Sequence, residues 1–168
     1  MAAHKHKGGT PATALLSRHG VEFVVHEFTH APGERNYGLV AAEALGVDPG
    51  RVFKTLLAKV DGSPSPSVAV AIVPVSGQLS LKELAQSLGA KRAEMCDPVV
   101  AERLTGYVVG GISPFGQKKR LRTAIDESCR SHETIFVSGG KRGLEIEIAP
   151  ENLITVLDAV VARLAVAR

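Results

Sequence analysis

Arg51-Val52-Phe53-Lys54-Thr55-Leu56-Leu57 decides how this chain is read. The run is apolar and β-branched around a single internal charge, the pattern of a half-buried strand. Because successive strand side chains point to opposite faces, Lys54 shares a face with Val52 and Leu56, and Phe53 shares the other with Thr55. Full burial of an unpaired ammonium costs on the order of several kcal/mol. Lys54 is therefore either solvated, with Phe53 and Thr55 marking the core face, or carried on its aliphatic stem into a cleft. Spacing alone leaves both open. A cleft lysine is a site candidate.

Working outward, Asp61-Gly62 and Ser63-Pro64-Ser65-Pro66 make a polar turn that joins this strand to Val68 to Val73, so an antiparallel hairpin is expected. Upstream, Thr10 before Pro11 offers an N-cap hydroxyl and a proline at the first helical position, predicting a helix to about Gly20 that packs through Leu15 and Leu16. Val21 to Phe28 reads as a strand. Leu39 to Leu45 reads as a short helix closed by Gly46. Downstream, Ser80 with Glu83 opens a helix ending near Gly89, and Asp97-Pro98 opens another ending near Gly106, with a short strand from Lys91 to Met95 between them. Thr123 to Asp126, Thr134 to Val137 and Leu144 to Ile148 read as strands, the last with Leu144, Ile146 and Ile148 inward and Glu145 and Glu147 facing solvent. Asn152 to Leu164 begins as a helix. The irregular alternation predicts an α+β fold in one domain: a mixed, largely antiparallel, twisted and barrel-like sheet with helices packed around it.

Composition narrows the class. At 168 residues the chain is sized for one domain, and 45% hydrophobic with 22% charged residues is ordinary for a globular protein. No apolar stretch approaches the roughly 20 residues that span a bilayer. Residues 1–9 are basic and lack the apolar centre of a secretory signal, which predicts a disordered tip ahead of a domain over 10–168 and a cytoplasmic location. Two separated cysteines, Cys96 and Cys129, give neither a zinc pattern nor a disulfide framework. A formal charge of +3 neither demonstrates nor forbids contact with a phosphate backbone. The basic residues cluster: Lys118, Lys119, Arg120 and Arg122 follow one glycine-rich turn, and Lys141 with Arg142 follow another.

That first turn, Gly110-Gly111-Ile112-Ser113-Pro114-Phe115-Gly116-Gln117-Lys118, has Walker A spacing without its chemistry. Gln117 stands at the lysine position, Lys119 replaces the Ser/Thr, and Pro114 lacks a cradling N–H. Adjacent glycines, here and at Gly139-Gly140 after Ser138, either let backbone N–H groups approach a ligand or simply supply turns. His26 and His30 would share a strand face but have no third ligand nearby in sequence, so no metal is expected. No Gly-x-Ser-x-Gly elbow, His-Glu-x-x-His or cysteine-nucleophile signature occurs.

Taken together, Arg51-Val52-Phe53-Lys54-Thr55-Leu56, Thr105-Gly106-Tyr107 running into Gly110-Gly111-Ile112-Ser113-Pro114, Gly116-Gln117-Lys118-Lys119, and Val137-Ser138-Gly139-Gly140-Lys141-Arg142-Gly143-Leu144 resemble the YbaK-type Cys-tRNA(Pro) deacylases, from Thr10 to about Leu157. That family is similar to the editing domain of bacterial prolyl-tRNA synthetases. The resemblance implies deacylation of mischarged Cys-tRNA(Pro) in trans without a cofactor: the substrate thiol attacks its own ester carbonyl and leaves as a thiolactone. It assigns Lys54, Gly110 and Gly111 to catalysis. Phe28, Ser113, Pro114, Ser138, Gly139, Gly140 and Glu145 fall to the substrate pocket, and Lys118, Lys119, Lys141 and Arg142 to tRNA. The implied partners are the aminoacylated 3′ end of tRNA and prolyl-tRNA synthetase, with no DNA or membrane. Phe28 and Glu145 depart from the family's tyrosine and aspartate, which leaves Ala-tRNA(Pro) as an alternative substrate and a non-catalytic tRNA- or synthetase-binding module as another reading.

Overall fold

The computed structural model describes residues 9–62 and 67–167, so the basic tip at residues 1–8 and the turn at 63–66 lie outside the described residues. The strand that contains Lys54 is the axis of the molecule. It runs as β2 (Phe53–Gly62), longer than its motif, and pairs antiparallel with β3 (Ser67–Pro74), setting Lys54 opposite Val73 and Leu56 opposite Ala71. The predicted hairpin is therefore present. On the other side of β2 lies β5 (Ala90–Met95), also antiparallel, while β6 (Arg122–Asp126) joins β3 in parallel and β9 (Val160–Ala162) joins β6 in parallel. Among the described residues this five-stranded sheet has the order β5-β2-β3-β6-β9.

A second sheet sets β8 (Leu144–Ile148) between β1 (Val24–Glu27) and β7 (Ile135–Ser138), antiparallel to both. The two sheets meet at a parallel bridge between Val52 and Phe136. Arg51 staples that seam. Its guanidinium donates to the Thr134 carbonyl at 3.1 Å and the Thr134 hydroxyl at 2.6 Å, lies 5.0 Å from the Phe136 ring centre, and reaches the Glu147 carboxylate at 3.4 Å. The sheets do not close into a barrel, so the expected α+β architecture holds without the barrel-like closure.

Helices pack on the sheets much as capping chemistry dictates. In α1 (Pro11–His19) the Thr10 hydroxyl accepts from the Thr13 N–H, and Gly20 closes the helix at φ 67°. Then α2 (Tyr37–Leu45) ends on Gly46, α3 (Leu81–Ser87) starts on the Ser80 hydroxyl, and α4 (Pro98–Thr105) starts on Asp97. The main core joins Leu16 of α1 to Phe53, Leu57, Ile72, Ile125, Val137, Ile146 and Ile148. Phe53 and Leu57 thus face this main core, while Ala58 and Val60 on the other face of β2 are buried in a second cluster with Leu84 and Leu164.

The C-terminal region begins as a helix, as expected, and then adds two strands that the sequence reading did not include. Helix α5 (Pro150–Leu157) stops where Asp158 takes a left-handed conformation, and β9 and β10 (Ala165–Ala167) follow in place of continued helix. The β-branched pair Val160-Val161 finds an open edge on β6, and β10 pairs with β4 (Gly77–Leu79). The β1 strand is also shorter than Val21 to Phe28 predicted.

Buried Asp126 holds this ending in place. One carboxylate oxygen accepts the N–H groups of Leu164 and Ala165, each at 2.8 Å, and the other accepts that of Ser128 at 3.1 Å. Burial alone would raise its pKa, but these bonds outweigh burial and hold it below the usual carboxylate range. The resulting stability is fully present above the unfolded value near about pH 4 and is lost as pH falls through the lowered folded value. Asp126→Asn is expected to lose about 1–2 kcal/mol in urea unfolding at pH 7. The gap should narrow at pH 2, and an equal gap at both pH values would rule out the charge as its source.

Candidate active site

A cavity of about 360 Å³ opens where β2, α2, the start of α4 and the two glycine turns converge. That volume suits a small organic group. Its wall includes Lys54, Thr55 and Leu56 from β2, Glu145 from β8, Ser138 from β7, Phe28 and His30 after β1, Tyr37 at the start of α2, Cys96, and Gly110 with Ile112. Lys54 thus faces neither bulk solvent nor core. The face it shares with Leu56 is half-buried against this cavity, whereas Phe53 on the opposite face is 2% exposed.

Glu145 departs most from expectation. It was expected on a solvent-facing strand side, yet it is 8% exposed and lines the cavity, because the outer face of β8 is roofed by the elements around the cavity. Strand register flanks it with His26 on one side and Ser138 on the other. Burial alone pushes its carboxyl up to about 8, so at neutral pH it holds a proton and can donate a hydrogen bond. Glu147, two residues on, is only half-buried. It accepts from the Thr134 hydroxyl at 2.5 Å and meets His26 Nε2 at 2.9 Å. For Glu147, the upward push of burial is outweighed by those bonds and by Arg51, and its pKa is lowered. One strand face therefore carries two carboxyls of opposite character.

The two glycine turns touch main chain to main chain. A Cβ on Gly111 would lie 2.8 Å from the Lys141 Cα and 2.9 Å from the Arg142 nitrogen, so a side chain there would separate the turns. Gly116 is pressed equally closely against Pro11 at the head of α1. The Thr10 hydroxyl donates to the Gly139 carbonyl at 2.5 Å, and the buried Tyr107 hydroxyl donates to the Phe115 carbonyl at 2.6 Å. Burial pushes that Tyr107 phenol up to about 12, so it stays a donor.

These contacts redistribute the residues singled out from sequence. Lys54, Phe28, Gly110, Ser138 and Glu145 come together around the cavity. Gly111, Ser113, Pro114, Gly139 and Gly140 build the frame behind it instead. The Gly111 N–H donates to the Val108 carbonyl at 2.8 Å, the Gly139 N–H to the Leu144 carbonyl at 2.8 Å, and the Gly140 N–H to the Ser138 hydroxyl at 3.2 Å. Those three main-chain donors are already engaged. Ser113 is fully buried, its hydroxyl accepting the Phe115 N–H. Lys118, Lys119, Lys141 and Arg142 are all exposed, the Lys118 stem packing over Gly106. His30 and Tyr37 at the cavity went unassigned in the sequence. Their signal, an aromatic pair stacked at 5.2 Å, exists only in three dimensions.

Because unfolding lets Glu145 ionise near its ordinary value of about 4.3, while the folded protein holds the proton to about 8, this residue lowers stability progressively between those values. Glu145→Gln, neutral throughout, is expected to be more stable than the parent by at least about 1 kcal/mol at pH 8. The advantage should vanish at pH 4 in the same urea titration, and a pH-independent difference would contradict the burial of an ionisable carboxyl.

Comparison with known proteins places this arrangement. The chain is 39% identical over 155 residues to EbsC of Enterococcus faecalis, named as a Cys-tRNA(Pro)/Cys-tRNA(Cys) deacylase, covering 92% of each protein. It is 34% identical over 115 residues to ProXp-y of Escherichia coli K12, a multifunctional Ser/Thr-tRNA deacylase, covering 67% of this chain and 65% of that protein. A crystal structure described as a trans-editing enzyme for prolyl-tRNA synthetase superposes with a TM-score of 0.80 at 22% identity, over 94% of this chain and 96% of that one, and so shares the fold. The family model of the aminoacyl-tRNA editing domain matches residues 38–156, and with 39% identity across nearly the whole chain, this protein belongs to the aminoacyl-tRNA editing domain family.

Proposed function

We propose that this protein deacylates mischarged aminoacyl-tRNA, with Cys-tRNA(Pro) as its main substrate, and that the substrate thiol is the nucleophile. The observation that carries the reading is a cavity rich in positioning groups and poor in activated ones. It brings a lysine, a protonated carboxyl and glycine backbone together. Of the chain's two thiols, Cys96 lines the cavity, and burial together with neighbouring Asp97 holds it protonated, a poor nucleophile. A site of this kind suits a reaction whose attacking atom arrives with the substrate.

In that reaction the cysteinyl sulfur attacks the carbonyl carbon of its own ester. A carbon–sulfur bond forms, the bond to the terminal ribose oxygen breaks, the thiol proton ends on that oxygen, and a small thiolactone leaves. Holding sulfur and carbonyl in contact removes much of the entropic barrier, up to roughly 7–11 kcal/mol in ideal intramolecular cases. Negative charge grows on the carbonyl oxygen in the transition state. Lys54 supplies the positive charge that meets it, and neutral Glu145 supplies a donor where a carboxylate would repel. Phe28, Ser138 and Gly110 shape the pocket around the side chain. The exposed Lys119, Lys141 and Arg142 face the acceptor strand. Docking on prolyl-tRNA synthetase in the cytoplasm would supply tRNA specificity through effective concentration. A second reading, direct hydrolysis of a seryl or threonyl ester by water, is favoured by the 34% identity to ProXp-y.

Lys54→Ala is expected to lower the single-turnover deacylation rate by roughly two orders of magnitude, the scale for losing one stabiliser of an oxyanion, with unfolding behaviour retained. Unchanged rates would remove Lys54 from the chemistry. Cys-tRNA(Pro) should be cleared while Ser-tRNA(Pro) persists under the same conditions. Equal clearance of the two would replace self-cyclisation with attack by water.

A further inference from the structure

The mouth of the cavity differs from its floor. The exposed residues among its lining are Arg35, Asn36, Leu39, Met95 and Pro98, polar and cationic at the start of α2 and apolar at the join of β5 and α4. Beside the α2 lip three flat groups are laid together. The Arg142 guanidinium carbon sits 4.8 Å from the centre of the Tyr37 ring, and that ring stacks on His30 at 5.2 Å with 19° between planes. The stack is pinned from behind. Arg142 Nε donates to the Val109 carbonyl at 2.9 Å, and the Tyr37 ring lies so close to Gly110 that a Cβ there would come within 2.7–2.8 Å of three ring atoms.

Arg142 is nevertheless exposed, and among the described residues no carboxylate pairs with it. An arginine that only solubilises a surface gains nothing from losing its rotamer freedom. This one is held over the Tyr37 ring and anchored through Nε while still exposed, beside a cavity fitted for an aminoacyl group. Guanidinium planes are stacking surfaces for unpaired nucleobases, and stacking reads the π-face that every base has. An aminoacyl ester is borne by the last nucleotide of tRNA, so that base must rest close to this mouth.

We infer that the solvent face of Arg142, backed by Tyr37 and His30, is the seat of the terminal nucleobase of the acceptor strand, and that Arg35 meets the phosphate preceding it. Arg142 touches the base; Tyr37 and His30 are positioning residues that fix its plane. The inference rests on the deacylase reading of the same cavity and adds to it the residues that hold the nucleotide bearing the ester.

The test measures binding separately from turnover. Acceptor-stem RNA hairpins ending in adenosine or in an abasic ribose are titrated by fluorescence anisotropy at one salt concentration. Wild type is expected to prefer the adenosine-ended hairpin by about tenfold, the scale of one base stack. Arg142→Lys keeps the charge and loses the plane, so it should bind both hairpins alike, and Tyr37→Leu, which removes the backing, should do the same. On Cys-tRNA(Pro), Arg142→Lys should raise KM by about the same factor with kcat within about twofold. Equal binding of the two hairpins by wild type, or a preference retained in Arg142→Lys, would overturn the seat. A preference lost in both variants, with no mischarged tRNA hydrolysed by wild type, would uphold the seat and remove the deacylase reading.

Discussion

The near-contact of two peptide backbones at Gly111 and Lys141–Arg142 is the constraint on which the rest of the structure depends. One turn leaves α4 and the other links β7 to β8, so their meeting draws a helical layer onto the end of the smaller sheet. The head of α1 wedges against the pair, with Pro11 on Gly116 and Thr10 on Gly139. Hydrogen bonds within and around the turns occupy the N–H groups of Gly111, Gly139 and Gly140. The turns therefore act as rigid walls, and what they enclose is the space between Lys54 and Glu145. Glycine is required where the walls touch because even a methyl group would part them.

Within that space the protein accepts a thermodynamic cost. A carboxyl kept from water and held neutral to about pH 8 opposes folding over most of the physiological range. Asp126 and Glu147, by contrast, are hydrogen-bonded carboxylates whose pKa values are lowered, and both sit where elements are joined: Asp126 at the C-terminal strands, Glu147 at the seam of the two sheets. Acid groups that hold the frame are charged, and the acid group in the cavity is not. That division separates structural from chemical use of the same functional group.

Much of this was legible from sequence where the signal is local. Thr10-Pro11, Ser80 and Asp97-Pro98 announce their helices through capping chemistry, and alternation in β2 isolates Lys54 from the core face. What was not legible depends on remote partners. Alternation correctly sets Glu145 opposite Leu144 and Ile146, but whether that second face meets water or a roof depends on residues more than a hundred positions away, including Phe28 and Tyr37. Residues 160–167 were not legible as strands. They become strands because β6 and β4 offer edges to pair with. The Tyr37–His30 stack and its guanidinium have no spacing rule that would disclose them.

The arrangement of β4, β6, β9 and β10 also bears on the order in which the protein can fold during synthesis. Residues 77–79 and 122–126 leave the ribosome well before residues 160–167, which pair with them and place Leu164 under the Asp126 carboxylate. Until then the nascent chain carries two bare strand edges and a buried acid with no backbone partners from the missing segment, a species inclined to pair with neighbouring chains. Completion of the fold is thus deferred until translation of residues 160–167.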